Sequence, residues 1–168
     1  MNISERILEG IKEAMVTERT GIEFYRTAAE RTRDEQGKAV FLRLAADEQK
    51  HLEYLRQQYQ QLTKGTGSAT PLELPEPGVD GTSPVFSSEL KNRINQAHWE
   101  MTALSVGLAL EQASIARYRQ LAAQAEEEKL RRFFESLVRW EESHATALQQ
   151  QFNFLREDYW REAGFAPF

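Results

Sequence analysis

Apolar residues recur at steps of three and four along four long stretches of the chain, a spacing typical of amphipathic helices. The first two stretches cover about residues 4–62, and the last two cover about residues 87–157. Short breaks between helices are expected at residues 33–37 and near residues 124–129. Four of the five prolines lie between Thr63 and Pro84, so no helix can run through that segment. The pattern predicts one all-α domain over residues 1–168, with two helix pairs, a crossover at residues 63–86 and an aromatic tail at 158–168.

The two predicted helix pairs are a sequence repeat. A shift of 93 residues, without a gap, aligns identical residues throughout both halves, among them Ile22 with Ile115, Phe41 with Phe134, Leu44 with Leu137, and Leu55 with Leu148. Two such pairs related by a pseudo-two-fold axis make a four-helix bundle. We expect the long crossover to let the second pair start from the same end of the bundle as the first.

Each apolar stripe is interrupted near its middle by a carboxylate, and these four residues are Glu18, Glu48, Glu111 and Glu141. Burial of four carboxylates together is unfavourable unless they are protonated or neutralised, and no Lys or Arg lies on the same stripes. His51 and His144 each follow a stripe glutamate by three residues, so each Glu-x-x-His pair points from one helix face. Four carboxylates and two neutral imidazoles carry a charge of −4, which two divalent cations would balance. Oxygen and imidazole donors suit iron or manganese, with zinc and cobalt as substitutes, so we predict a dinuclear metal site at mid-bundle.

A single Glu-x-x-His motif is weak support, because glutamates on a helix usually mark a solvated face. Here two of the three histidines fall in this motif, at equivalent positions of a repeat. The third, His98, has no acidic partner in the pattern and is interpreted as a surface residue. Tyr25 and Tyr118 lie two helical turns after Glu18 and Glu111, where they either fill the core or donate a hydrogen bond to a metal ligand. Without metal, the clustered carboxylates are expected to have raised pKa values.

The set of motifs resembles the rubrerythrin family of ferritin-like di-iron carboxylate proteins. The first half reads ERTGIEFYRTAA and then DEQKH, and the second reads EQASIARYRQLA and then EESH. The resemblance spans roughly residues 4–156 and implies a ferritin-like four-helix bundle that holds two iron ions. It implies that Tyr25 and Tyr118 support the metal ligands, and that those ligands are Glu18, Glu48, His51, Glu111, Glu141 and His144. It also favours a homodimer.

The chain departs from the rubrerythrin pattern in two respects. Rubrerythrins carry a rubredoxin domain that delivers electrons, whereas this sequence contains no cysteine. They also carry an extra glutamate three residues after the third-helix ligand, and Ser114 occupies that position here. We therefore expect electrons to come from a separate donor such as rubredoxin, and peroxide turnover to be slow.

Composition limits the functions that remain. The absence of cysteine excludes disulfides, thiolate metal sites and cysteine nucleophiles, and the net charge of −5 argues against nucleic acid or an anionic membrane as partner. No secretory signal or membrane span is apparent, so a cytoplasmic location is expected. The leading hypothesis is an oxidoreductase that reduces hydrogen peroxide or dioxygen. The alternatives are a ferroxidase or iron-handling protein with Fe²⁺ as substrate, and a non-enzymatic helical interaction module.

Overall fold

Helices make up the fold, as the apolar periodicity predicts. The computed structural model describes residues 3–64, 77–79, 81–82, 84–94, 97–162 and 164. The helices are α1 (Ile3–Arg31), α2 (Glu35–Thr63), α3 (Ser88–Lys91), α4 (His98–Gln124) and α5 (Glu128–Glu162). The prediction of an all-α bundle is confirmed. None of the helices in the described ranges is long and apolar enough to cross a membrane.

Two helix boundaries differ from the sequence-based ones. The predicted third helix starts as the four-residue α3 and resumes only at His98, because turns at Asn92 and Arg93 separate the two. The predicted tail is partly helical, since α5 continues through Tyr159 and Trp160 to Glu162. Phe165 and Phe168, also assigned to the tail, lie outside the described residues.

The buried core consists of two apolar clusters at opposite ends of the bundle. Cluster one contains the C-terminal half of α1, the N-terminal halves of α2 and α4, and the C-terminal half of α5, with Tyr25, Phe41, Leu104 and Leu148 among its members. Cluster two contains the opposite halves of the same helices, with Ile11, Leu55, Tyr118 and Phe134 among its members. The carboxylates that interrupt the apolar stripes lie between the two clusters.

The second helix pair starts from the opposite end to the first, so the expectation of a common starting end is wrong. Membership of the two clusters shows that α4 runs antiparallel to α1 and parallel to α2. The crossover therefore returns along the bundle from the end of α2 to the start of α4. This direction lets Tyr25 of α1 bond to Glu111 of α4 while Tyr118 of α4 bonds to Glu18 of α1. Parallel helices could not form both bonds, because each tyrosine lies seven residues, about 10 Å of helix rise, beyond its own glutamate.

The end of the crossover is fixed to both helix pairs by hydrogen bonds. Asp34, the N-cap of α2, accepts from the backbone N–H and the hydroxyl of Ser87. On α5, the side-chain oxygen of Gln151 accepts from the N–H groups of Val85 and Phe86, at 3.0 and 3.1 Å. Earlier in the crossover, the N–H of Gly78 donates to the Asp47 carboxylate at 2.6 Å. The crossover thus contacts α2 at the level of the carboxylate cluster.

Candidate metal centre

The structure brings all six predicted ligand residues together at mid-bundle, and each is at most 4% exposed. They form two groups of four residues, in each of which one donor atom per residue lies within 4.8 Å of the others. The first group contains Glu18, Glu48, His51 and Glu141, and the second contains Glu48, Glu111, Glu141 and His144. Glu48 and Glu141 belong to both groups. In a two-metal site Glu48 and Glu141 would be the bridging carboxylates, and the remaining residues would be terminal ligands.

Both histidines face the carboxylates through Nδ1. His51 Nδ1 lies 3.0 Å from Glu141 Oε1 and 3.1 Å from Glu48 Oε2. His144 Nδ1 lies 3.3 Å from Glu141 Oε2 and 3.7 Å from Glu111 Oε2. The Glu-x-x-His spacing explains this arrangement, because residues three apart on a helix project from one face.

Several oxygen and nitrogen atoms inside the cluster, all of them able to bind a metal ion, have no hydrogen-bond partner among the described residues. They include Glu18 Oε2, both carboxylate oxygens of Glu141, and His144 Nδ1. Buried polar atoms are almost always satisfied, so an orphaned group of this kind indicates an absent ligand. Four carboxylates and two imidazoles form a donor set that fits iron or manganese, and the geometry therefore fits a binuclear metal site.

Two buried tyrosines cross between the helix pairs to reach terminal carboxylates. The hydroxyl of Tyr25 donates to Glu111 Oε1, and that of Tyr118 donates to Glu18 Oε1. Burial first, and then the nearby carboxylates Glu111 and Glu18 respectively, raise the pKa of each phenol well above its usual value. Both tyrosines therefore stay protonated donors at neutral pH. Of the two roles that the sequence left open, the structure favours orientation of a ligand carboxylate, although both rings also fill the core.

The acidic groups of the cluster titrate in different directions. Burial, reinforced by the charge of Glu141, raises the pKa of Glu48 well above its usual value and that of Glu111 to about 8. The pKa of Glu141 is lowered instead, because the two histidines outweigh its burial. The expectation of raised carboxylate pKa values is thus met for Glu48 and Glu111 and is wrong for Glu141.

The histidines titrate opposite to what burial alone would cause. Burial lowers the pKa of each ring, but the surrounding carboxylates outweigh it. Glu141, Glu18 and Glu48 raise the pKa of His51 well above its usual value. Asp47 and the nearby glutamates do the same for His144. Without metal, protons on both imidazoles partly balance the carboxylate charge.

Sequence reasoning missed Asp47, which lies beside the cluster. Its carboxylate is buried, and its Oδ2 lies 3.2 Å from His144 Nε2. The hydrogen bonds from His144 and Lys50 outweigh burial and lower the pKa of Asp47 to about 2. The repeat gave no distinctive signal, because the shift of 93 residues aligns Asp47 with Trp140 but also pairs other unlike residues at the motif, such as Lys50 with Ser143.

Ser114 and His98 lie where the sequence pattern put them. Ser114 is buried beside the cluster, with Oγ 3.5 Å from Glu18 Oε1, so a hydroxyl lies where a seventh carboxylate was expected in the family. His98 is exposed at the start of α4, and its Nδ1 lies 2.8 Å from the Tyr159 hydroxyl. His98 is therefore outside the metal centre.

Comparisons with known proteins found a matching family model and a solved structure of similar fold. Residues 9–152 match the family model described as Rubrerythrin. A solved structure titled "Hypothetical Protein Pfu-1136390-001 From Pyrococcus furiosus" is similar in fold, with a TM-score of 0.65, 23% sequence identity and 90% of each chain covered. No curated protein matches the sequence.

Proposed function

The chain belongs to the rubrerythrin family, and we propose that it is a di-iron oxidoreductase that reduces hydrogen peroxide or dioxygen. The observation that carries the proposal is the pair of four-residue donor groups that share Glu48 and Glu141. A shared pair of carboxylates holds two ions close enough to act on one substrate. When bound, two ferrous ions supply the two electrons that an O–O bond takes up.

The protein's own residues would bind and orient the ions and exclude water. Glu18 and His51 would hold one ion, and Glu111 and His144 the other, with Glu48 and Glu141 between them. The tyrosine hydroxyls on Glu18 and Glu111 keep one oxygen of each carboxylate occupied, which directs the other oxygen into the cluster. The apolar clusters on both sides limit the access of bulk water.

The absence of cysteine from the sequence supports a separate electron donor, such as rubredoxin, because turnover consumes two electrons for each O–O bond reduced. We further propose that the protein acts in the cytoplasm as a homodimer. The exposed apolar side chains Val16, Phe154 and Trp160 are consistent with contact between subunits.

A direct test is to load the metal-free protein anaerobically with two equivalents of Fe²⁺ and mix it with peroxide or with air-saturated buffer in a stopped-flow instrument. We expect rapid oxidation by one of these oxidants, and repeated turnover only when reduced rubredoxin is added. As a control, Glu100→Gln should react as the unaltered protein does, because Glu100 is a buried glutamate that accepts a hydrogen bond from Thr32, away from the cluster. Protein that holds two irons and reacts with neither oxidant would refute the oxidoreductase proposal.

The same experiment distinguishes iron handling, in which Fe²⁺ is the substrate. With excess Fe²⁺ and dioxygen, an iron-handling protein oxidises far more than two irons per chain without any added donor. Oxidation that stops at two irons supports the oxidoreductase proposal. Failure to bind metal under anaerobic, iron-replete conditions would leave the non-enzymatic interaction module.

A further inference from the structure

The two halves of the repeat carry different buried residues directly before Glu48 and Glu141. The shift of 93 residues pairs the terminal glutamates, the bridging glutamates, the histidines and the tyrosines of the two halves. It pairs Asp47, which precedes the bridging Glu48, with Trp140, which precedes the bridging Glu141. The Nδ1 atoms of the two histidines face carboxylates that are equivalent in the repeat, whereas the residues near their Nε2 atoms differ.

His144 has a fixed hydrogen-bond acceptor behind it. Its Nε2 lies 3.2 Å from Asp47 Oδ2, and Asp47 is 1% exposed. Two further donors hold the same carboxylate, the Lys50 ammonium group at 2.8 Å and the Gly78 N–H at 2.6 Å. A carboxylate on Nε2 selects the imidazole tautomer with its proton there, which leaves the Nδ1 lone pair directed at the metal position.

In the part of the chain that the structure describes, His51 has no such acceptor. Its Nε2 has no hydrogen-bond partner among the described residues, and the Trp140 ring lies nearly perpendicular to the imidazole, with centroids 4.6 Å apart. An indole N–H is only a donor, so Trp140 cannot accept a hydrogen bond from the imidazole through its ring nitrogen as a carboxylate does. No described residue comparable to Asp47 therefore fixes the tautomer and orientation of His51.

We infer that Asp47 is a positioning residue that makes the two metal positions unequal, so that the ion held by His144 binds more tightly than the ion held by His51. This inference rests on the proposed two-metal function. Metal-binding histidines commonly donate their other ring N–H to a carboxylate. Removal of that carboxylate typically lowers the metal affinity of the site about 10–100-fold. The chain has such a carboxylate, Asp47, in one half of its repeat and a tryptophan, Trp140, at the equivalent position of the other half.

Anaerobic titration of the metal-free protein with Co²⁺, followed by ligand-field absorption and calorimetry, tests the inference without measuring activity. In the unaltered protein we expect two binding steps whose dissociation constants differ by about tenfold or more. Asp47→Asn should weaken the tighter step about 10–100-fold and change the other by less than about threefold. Glu53→Gln is the matched control, because it removes one negative charge from an exposed position of the same helix and should leave both steps unchanged.

A second measurement needs no variant. In the Co²⁺-loaded protein, the ring N–H of His144 should give a shifted proton signal that exchanges slowly with D₂O. The ring N–H of His51, which has no hydrogen-bond partner among the described residues, should exchange faster. Two equal affinities, or two ring N–H signals that exchange at the same rate, would overturn the inference and leave the two-metal proposal intact. Binding of one Co²⁺ or none would instead overturn the proposed function itself.

Discussion

Loading the centre with metal should release protons, because protons take the place of the cations in the metal-free protein. Four groups of the cluster have pKa values raised above their usual range: Glu48, Glu111, His51 and His144. At pH 7 Glu111, with a pKa of about 8, retains its proton, and the raised pKa values of the other three groups favour their protonated forms. Two neutral carboxyl groups and two imidazolium groups balance the charge of four glutamates about as well as two divalent cations would. Binding must displace these protons, since metal ligands have to be deprotonated.

The size of the effect follows from these four groups. At pH 7 two divalent ions should displace up to four protons, or about two for each ion. The pKa of Glu111 is about 8, so above that pH this residue is already ionised and the number should fall to about three. The sign follows from the same linkage, because raising the pH removes the competing protons. Two protons for each ion correspond to about a hundredfold tighter binding per pH unit around neutrality.

Calorimetry of anaerobic Mn²⁺ binding, repeated in buffers with different enthalpies of ionisation, measures the protons released at pH 7 and at pH 9. Glu111→Gln should release one proton fewer at pH 7 and lose the step near pH 8. Glu100→Gln, the matched control away from the cluster, should release as many protons as the unaltered protein. Release of fewer than one proton for two bound ions at pH 7 would refute the proposed charge balance.

Three further predictions concern ligand sharing, pH and packing. Glu48→Ala should lower the affinity for both ions, because Glu48 belongs to both donor groups, and the loss should exceed the roughly 10–100-fold caused by removing a hydrogen-bond partner of a ligand. Glu18→Ala should lower the affinity for one ion only. Anaerobic metal titration measures both effects. The metal-free protein should lose stability in urea unfolding as pH rises from the ordinary value of 4.5 to about 8. Over this pH range Glu111 keeps its proton in the folded state but not in the unfolded state. The free energy of unfolding should therefore fall by up to about 1.4 kcal/mol per pH unit, and bound metal should reverse this trend. Gly37→Ala should destabilise by about 1–3 kcal/mol, because a Cβ there would lie 2.2 Å from the Phe86 ring. Gly21→Ala should instead stabilise the protein by about 0.5–1 kcal/mol, because its Cβ would make an ordinary 3.4 Å contact with the Glu48 side chain. Thermal unfolding of both variants measures the difference.

The ligand set could be predicted from the sequence because helical periodicity is a strong local signal. A glutamate on an apolar stripe must face the core, and a repeat multiplies that constraint. The helix pairs followed from the same periodicity, and the break near residues 124–129 followed from the repeat, by analogy with the break in the first half. The signal weakened where no stripe existed. The turns that separate α3 from α4 contain neither Gly nor Pro, so the sequence did not mark them.

The direction of the second helix pair and the role of Asp47 depend on tertiary contacts. Periodicity places residues on a face of a helix but does not say whether two helices run parallel or antiparallel. The carboxylate of Asp47 is next in sequence to a ligand and about 100° from it around the helix, where a solvated position is the ordinary expectation. It is buried because the crossover folds over it and Gly78 donates to it. The crossover has no periodicity from which this contact could be predicted.

Neither helix pair contains a complete metal position by itself. The group that includes Glu18 needs Glu141 from α5, and the group that includes Glu111 needs Glu48 from α2. The two tyrosine hydrogen bonds also cross between the pairs. An ion bound at either position therefore stabilises the packing of the two helix pairs against each other. When the pairs separate, neither of them offers the ion a comparable site. Metal binding should accordingly stabilise the bundle as one cooperative unit, by an amount that grows with the logarithm of the metal concentration above its dissociation constant.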